Sequence, residues 1–123
     1  MMTQFEKEIV MQPYFTMHIV TDSLIEFQSQ NKDWWILLQV EVYQRKQQLA
    51  MGLPKQHTYK LFHKHDGAAG FHEQGEYLEV LDAVLTVIDH DDYRMGKKRR
   101  GQTTHFEELL EWYRLNLKLQ TVV

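Results

Sequence analysis

The sequence predicts an α+β fold: an antiparallel sheet of about four or five strands within residues 5–65, then helices over about 75–90 and 104–119. Apolar and polar side chains alternate along several stretches of the first half, which is typical of half-buried strands. Apolar residues recur at helical spacing in the second half. A chain of 123 residues with 43% hydrophobic content has the size and composition of one domain, so we predict a single domain over 1–123 with both helices packed on the sheet.

The first three strands are predicted from alternation and from the polar breaks between them. YFTMHIV at 14–20 and LIEFQSQ at 24–30 alternate, and WWILLQVEVYQ at 34–44 is rich in aromatic and β-branched residues. The short breaks TDS and NKD have the composition of turns. Three runs joined by such short breaks predict an antiparallel meander.

The next part of the chain is less uniform. A helix over 34–51 is an alternative to the third strand, because YQRKQQLAM contains good helix formers. For residues 44–51 strand, helix and loop all remain open. GLP at 52–54 ends whatever precedes it, and HTYKLFHKH at 57–65 alternates again before the break DGAAG.

Two amphipathic segments predict the helices. Between residues 76 and 89 the apolar positions fall on one helical stripe, made by Tyr77, Leu81, Val84, Leu85 and Ile88. Thr104 followed by Glu107 has the spacing of a capping box and predicts the start of the second helix.

Composition excludes several kinds of site. The chain contains no cysteine, so disulfides, thiolate metal sites and cysteine nucleophiles are excluded. The formal net charge is −3, whereas domains that hold a nucleic-acid backbone are usually basic. The longest apolar run, WWILL at 34–38, is too short to cross a bilayer, and the charged start of the chain is unlike a secretory signal. We therefore expect a cytoplasmic protein with no membrane partner.

A histidine-rich segment, HKHDGAAGFHE at 63–73, is the candidate metal site. His63 and His65 are two apart, so on a strand both side chains point to one face. His72 follows the glycine-containing break and is a candidate third ligand, which would make the chain a metal-dependent hydrolase or oxygenase. The simpler interpretation is a polar, solvated strand end without a cofactor, and we favour it at this point.

An acidic segment and a basic segment follow each other along the chain. DHDD at 89–92 could bind a divalent cation through oxygen atoms, but we expect it to be a solvated helix end neutralised by the next charges. Those charges are Lys97, Lys98, Arg99 and Arg100. In a loop between helices they are candidate phosphate contacts for RNA or DNA, and exposed rings of Tyr14, Tyr43 or Tyr59 could stack on bases.

The tryptophans are candidate interface residues. Trp34 and Trp35 are adjacent, so on a strand they point to opposite faces, and one of them needs a cover. Trp35 and Trp112 are therefore predicted at an interface with a protein partner or a second copy of the chain. Our leading functional prediction is a small non-enzymatic interaction or regulatory module that self-associates. An RNA-binding regulator comes second and a metal-dependent enzyme third.

Overall fold

The computed structural model describes residues 1–41 and 57–96, together with Glu111 and Leu115. It confirms the α+β class, with one five-stranded antiparallel sheet in the order β1-β2-β3-β4-β5. The elements are α1 (Gln4–Val10), β1 (Thr16–Val20), β2 (Leu24–Gln28), β3 (Trp34–Glu41), β4 (His57–Lys64), β5 (His72–Tyr77) and α2 (Val80–Arg94). The meander predicted from the short polar breaks therefore extends to all five strands.

Two helical segments come after the strands in the chain, as the sequence predicts. Helix α2 is the first, and both Glu111 and Leu115, within the second predicted helix, are helical. The other residues of that prediction, and residues 44–51, lie outside the described part of the chain. In the residues that are described, no helix is long and apolar enough to cross a membrane.

Helix α1 is a correction to the sequence prediction, which began the sheet at about residue 5. Thr3 caps the helix: its side chain accepts from the Glu6 backbone N–H, and the Glu6 carboxylate accepts from the Thr3 N–H. This capping box is the signal that predicted the later helix at Thr104, and it was overlooked here. Ile9 and Val10 are the buried residues of this short helix and lie on its inner side.

Strand β5 is a second correction, because residues 76 and 77 were placed at the start of a helix. Tyr77 pairs with Tyr59 on β4, and α2 begins only at Val80. β5 is an edge strand with mostly exposed side chains, so it lacks the apolar alternation that revealed the other strands. Pairing with β4 outweighs the weak helical pattern of these residues. Helix α2 ends before Gly96, whose φ of 75° suits glycine.

One face of the sheet carries the core. Alternate residues of β2, β3 and β4 point to this face, and both described helices cover it. The sheet contributes Ile25, Phe27, Trp35, Leu37, Tyr59 and Leu61, α1 contributes Ile9 and Val10, and α2 contributes Val80, Ala83, Val84, Val87 and Ile88. The inward row of β4 continues from Tyr59 and Leu61 to His63, which places a histidine at the end of the core.

The burial of Trp35 corrects the predicted interface. Its side chain is 0% exposed and faces the core, so it offers no surface to a partner. Trp34 points to the other face and is partly buried. Trp112, the other predicted interface residue, lies outside the described residues.

Candidate metal centre

The register between β3 and β4 assembles the polar end of the core. Trp35 pairs with His63, and Trp34 pairs with Lys64. One step further, Asp33 and His65 continue the same antiparallel register at the start of β3 and the end of β4. Residues opposite each other across two strands share a face, so Asp33 and His65 lie on the same face as Trp35 and His63.

Three imidazole nitrogens converge on one oxygen atom of Asp33. The Asp33 Oδ2 atom lies 2.7 Å from His63 Nε2, 3.3 Å from His65 Nδ1 and 3.9 Å from His90 Nδ1. The first distance is a hydrogen bond and the second is a weaker contact. The third is too long for a hydrogen bond.

His90 reaches the cluster from helix α2. It follows Ala83 and Val87 at intervals of four and three residues, so it belongs to the stripe of α2 that faces the sheet. Its ring centroid is 4.5 Å from that of His63 and 5.2 Å from Trp35. The Nδ1 atom of His90 is buried and forms no hydrogen bond with any residue that the structure describes. Such a buried polar atom needs an explanation.

The cluster is closed on one side and open on the other. The Trp35 ring stacks on His63 at 4.2 Å and forms an apolar wall. The side chains of His63 and Asp33 are 2% and 7% exposed, and that of His90 is 22% exposed. The side chain of His65 is 49% exposed. Solvent therefore reaches the cluster from the side of His65.

The turn between β2 and β3 fixes the Asp33 carboxylate. The Ser29 N–H donates to the Asp33 carbonyl at 3.0 Å and the Lys32 N–H donates to the Ser29 carbonyl at 2.9 Å. Asn31 accepts from the Asp33 N–H at 2.9 Å, and its Nδ2 donates to Asp33 Oδ2 at 3.3 Å. Lys32 has a φ of 74°, a left-handed conformation that costs about 1–2 kcal/mol for a residue with a side chain. A strained residue thus sits directly before the central carboxylate.

A second buried carboxylate, Asp91, lies beside this cluster and accepts hydrogen bonds from the same turn. Its Oδ2 accepts from Tyr14 Oη at 2.9 Å and from the Asn31 N–H at 3.3 Å, and its Oδ1 accepts from Ser29 Oγ at 2.8 Å. Ser29 Oγ in turn accepts from Trp35 Nε1 at 2.9 Å. The network therefore joins α2 to the turn that holds Asp33 and to Trp35, whose ring lies against the histidine cluster.

Burial sets the charge states of the cluster. Burial opposes ionisation of Asp33, but hydrogen bonds from His63 and Asn31 outweigh it and hold the pKa of Asp33 below its usual value. Burial lowers the pKa of His63 in spite of its Asp33 partner. Burial, together with the nearby His63, lowers the pKa of His90. At pH 7 Asp33 is therefore anionic and these two histidines are neutral, which are the forms that bind metal ions.

At Asp91 burial also opposes ionisation, and here it outweighs the hydrogen bonds. It raises the pKa of Asp91 even though the hydrogen bonds from Ser29 and Tyr14 favour the anion. Burial, and the neighbouring Asp91, raise the pKa of Tyr14. The Tyr14 hydroxyl is thus a firm donor to Asp91 at any physiological pH.

The donor atoms are grouped more loosely than the ligand atoms of a coordination shell. Nitrogen and oxygen ligands lie about 2.0–2.2 Å from an ion, so neighbouring ligand atoms are about 3.0–3.5 Å apart. One donor atom each from Asp33, His63 and His65 lies within 4.8 Å of the other two. Small side-chain rotations would bring these atoms around one ion. His90 lies outside this group of three: its Nδ1 atom is 3.9 Å from Asp33 Oδ2 and would have to move closer to supply a fourth donor.

The structure brings together two of the three predicted ligands, His63 and His65. His72 lies on β5, where it pairs with His63, and their ring centroids are 5.1 Å apart. It is exposed and lies outside the group of converging donor atoms. The sequence prediction missed Asp33 and His90. Asp33 belongs to a segment with the composition of a turn, and His90 belongs to the acidic segment DHDD, which the sequence offers as a separate cation site.

The predicted solvated helix end at 89–92 is also corrected. Asp91 and Asp92 are both 0% exposed, because this last part of α2 packs against the sheet and the turn after β2. The prediction that exposed tyrosine rings stack on bases is wrong for Tyr14 and Tyr59, which are only 9% and 5% exposed. Tyr43 and the basic residues Lys97, Lys98, Arg99 and Arg100 lie outside the described residues.

Comparison with known proteins gives no relative for this arrangement. No protein-family model, no curated protein and no solved structure matches the chain. The case for a function therefore depends on the geometry of the side chains alone.

Proposed function

We propose that this protein binds a divalent transition-metal ion through Asp33, His63, His65 and His90. The observation that carries the proposal is the convergence of three imidazole nitrogens on one buried carboxylate oxygen, at 2.7, 3.3 and 3.9 Å. An ion among these atoms would replace several long or missing hydrogen bonds with coordinate bonds. It would also give the buried His90 Nδ1 the partner that it lacks among the described residues.

A purely structural role for the cluster explains less of the geometry. A carboxylate oxygen has two lone pairs. Asp33 Oδ2 is already approached by His63 Nε2 at 2.7 Å, by His65 Nδ1 at 3.3 Å and by Asn31 Nδ2 at 3.3 Å. No acceptor capacity of this oxygen remains for His90, so a buried hydrogen bond between Asp33 and His63 gives no reason for placing a third histidine here.

The donor set indicates the class of ion. Imidazole nitrogen with one carboxylate suits zinc, iron, cobalt, nickel and manganese as divalent ions, whereas calcium and magnesium prefer oxygen ligands throughout. A two-histidine, one-carboxylate set is the ligand set of many non-haem iron sites, and zinc accepts the same ligands. The geometry supports this class and does not select one metal within it.

The test is to measure metal binding by wild type and by two matched variants. Protein freed of metal by a chelator is titrated with zinc and with cobalt by calorimetry, and untagged protein purified without chelator is subjected to elemental analysis. We expect one ion per chain. His65→Ala removes a half-exposed donor and should weaken binding by about 100-fold or more.

His57→Ala is the matched control, because it removes an exposed histidine from the same strand. It should leave both stoichiometry and affinity unchanged. Equal losses in the two variants, or the absence of binding by folded wild-type protein, would refute the proposal.

The other functions predicted from the sequence are not tested by the described residues. A self-associating interaction or regulatory module, a cytoplasmic location and nucleic-acid binding through Lys97–Arg100 stay predictions. Metal binding is compatible with each of them. Metal binding is the function for which the described residues bring candidate ligands together.

A further inference from the structure

The metal centre is asymmetric in a way that bears on its chemistry. On one side the stacked Trp35 ring and the buried His63 and Asp33 side chains exclude solvent. On the other side His65 is 49% exposed and His72 is exposed. Structural metal sites are closed by protein ligands on all sides, whereas reactive sites keep a position open.

We propose that the bound ion keeps one coordination position open on the side of His65 and His72, where it takes water or a small anion. This inference rests on the proposed function, since it concerns the same ion. Asp33, His63 and His65 have the three closest donor atoms, and His65 is the half-exposed one among them. Even with His90 as a fourth donor, an ion that prefers five or six ligands still has room for an external one.

His72 lies beside this open position and is a hydrogen-bond partner for the ligand that occupies it. Trp35, His63 and His72 follow one another across three neighbouring strands, so their side chains share one face of the sheet. The His72 ring lies 5.1 Å from that of His63, on the opposite side from Trp35. His72 is not one of the converging donors, but it is near enough to contact an external ligand bound to the ion. Its role is to position the external ligand.

The experiment uses the full chain loaded with one equivalent of cobalt(II) and titrated with sodium azide. The visible absorption bands of cobalt(II) respond to the number and kind of its ligands, and azide is a small anionic ligand for an open position. We expect a saturable change in these bands while the cobalt stays bound, as verified by elemental analysis after gel filtration. His72→Ala should bind cobalt as wild type does and bind azide about 10-fold more weakly, the loss of about one hydrogen bond.

The outcomes separate the two proposals. Stoichiometric cobalt binding with a spectrum that does not respond to azide would show a closed site and overturn the open position, leaving metal binding intact. Azide binding that is equal in His72→Ala and wild type would overturn the role of His72. Azide that merely removes the cobalt would also count against an open position. Failure of folded protein to bind cobalt would overturn the metal site itself. His57→Ala is again the matched control and should behave as wild type in both titrations.

Discussion

Two buried carboxylates lie side by side in this molecule, and their surroundings differ. Asp91 accepts three hydrogen bonds at 2.8, 2.9 and 3.3 Å, from Ser29 and Asn31 in the turn after β2 and from Tyr14 before β1. Asp33 is surrounded by three imidazoles at 2.7, 3.3 and 3.9 Å, and one of them has no hydrogen-bond partner among the described residues. Satisfied polar networks stabilise and specify a fold, whereas incompletely satisfied ones cost stability and indicate function. We therefore propose that Asp91 supports the fold and that Asp33 is a ligand of the proposed metal ion.

The largest expected effect on stability is that of Asp91→Ala. The substitution leaves the buried donors of Tyr14 and Ser29 without their acceptor, so the free energy of unfolding of metal-free protein should fall by about 3 kcal/mol. Urea denaturation followed by circular dichroism measures it. Asp82→Ala, on the exposed side of the same helix, is the control and should cost less than about 1 kcal/mol. A loss no larger than that of the control would mean that Asp91 does not hold the fold together.

Asp33→Asn should have the converse effect. Asparagine keeps an acceptor for His63 but removes the anionic ligand, so metal affinity should fall by about 100-fold or more, which is about 2.7 kcal/mol. The stability of metal-free protein should change by less than about 1 kcal/mol. Calorimetric metal titration and urea denaturation of the same samples give both numbers. A large loss of stability with unchanged metal affinity would reverse our assignment of the two carboxylates.

The difference between the two regions also explains what the sequence could and could not predict. Alternation revealed β2 to β4 and helical spacing revealed α2, because both patterns report burial along one element. Alternation also indicated β1, although only Met17 of that strand is partly buried. β5 was hidden because an exposed edge strand has no such pattern. Helix α1 had a readable capping box at Thr3 and Glu6.

The metal centre was only half predictable for a related reason. His63 and His65 are two residues apart on one strand, and local spacing is enough to pair them. Asp33 joins them through the register of β3 against β4, and His90 joins through the docking of α2 on the sheet. These are contacts between elements distant in sequence. A single sequence without its fold does not specify them.

The pH dependence of stability separates the regions further. Burial holds the pKa values of His63 and His90 below the unfolded value of about 6.5, so in this range the unfolded chain binds more protons. Stability of metal-free protein is therefore complete above about pH 6.5 and falls as the pH decreases below it, by up to about 1.4 kcal/mol per pH unit for each histidine. Asp91 acts in the opposite sense, because its raised pKa favours folding as the pH decreases. Urea denaturation of metal-free protein between pH 7.5 and about 5.5 should show this decline in stability. Stability that does not change over this range would contradict the lowered pKa values of the two histidines.

The smallest expected effect tests the residue that touches both carboxylates. The backbone N–H of Asn31 donates to Asp91, while its side chain donates to Asp33. Asn31→Ala keeps the backbone contact, so stability should fall by less than about 1 kcal/mol. Metal affinity should fall by about 10-fold, as is usual for a group that orients a metal ligand. Gln30→Ala, at an exposed position in the same turn, should change neither quantity. If Asn31→Ala instead lowered stability and left metal affinity intact, the two carboxylates would belong to one structural network, and the distinction between them would not hold.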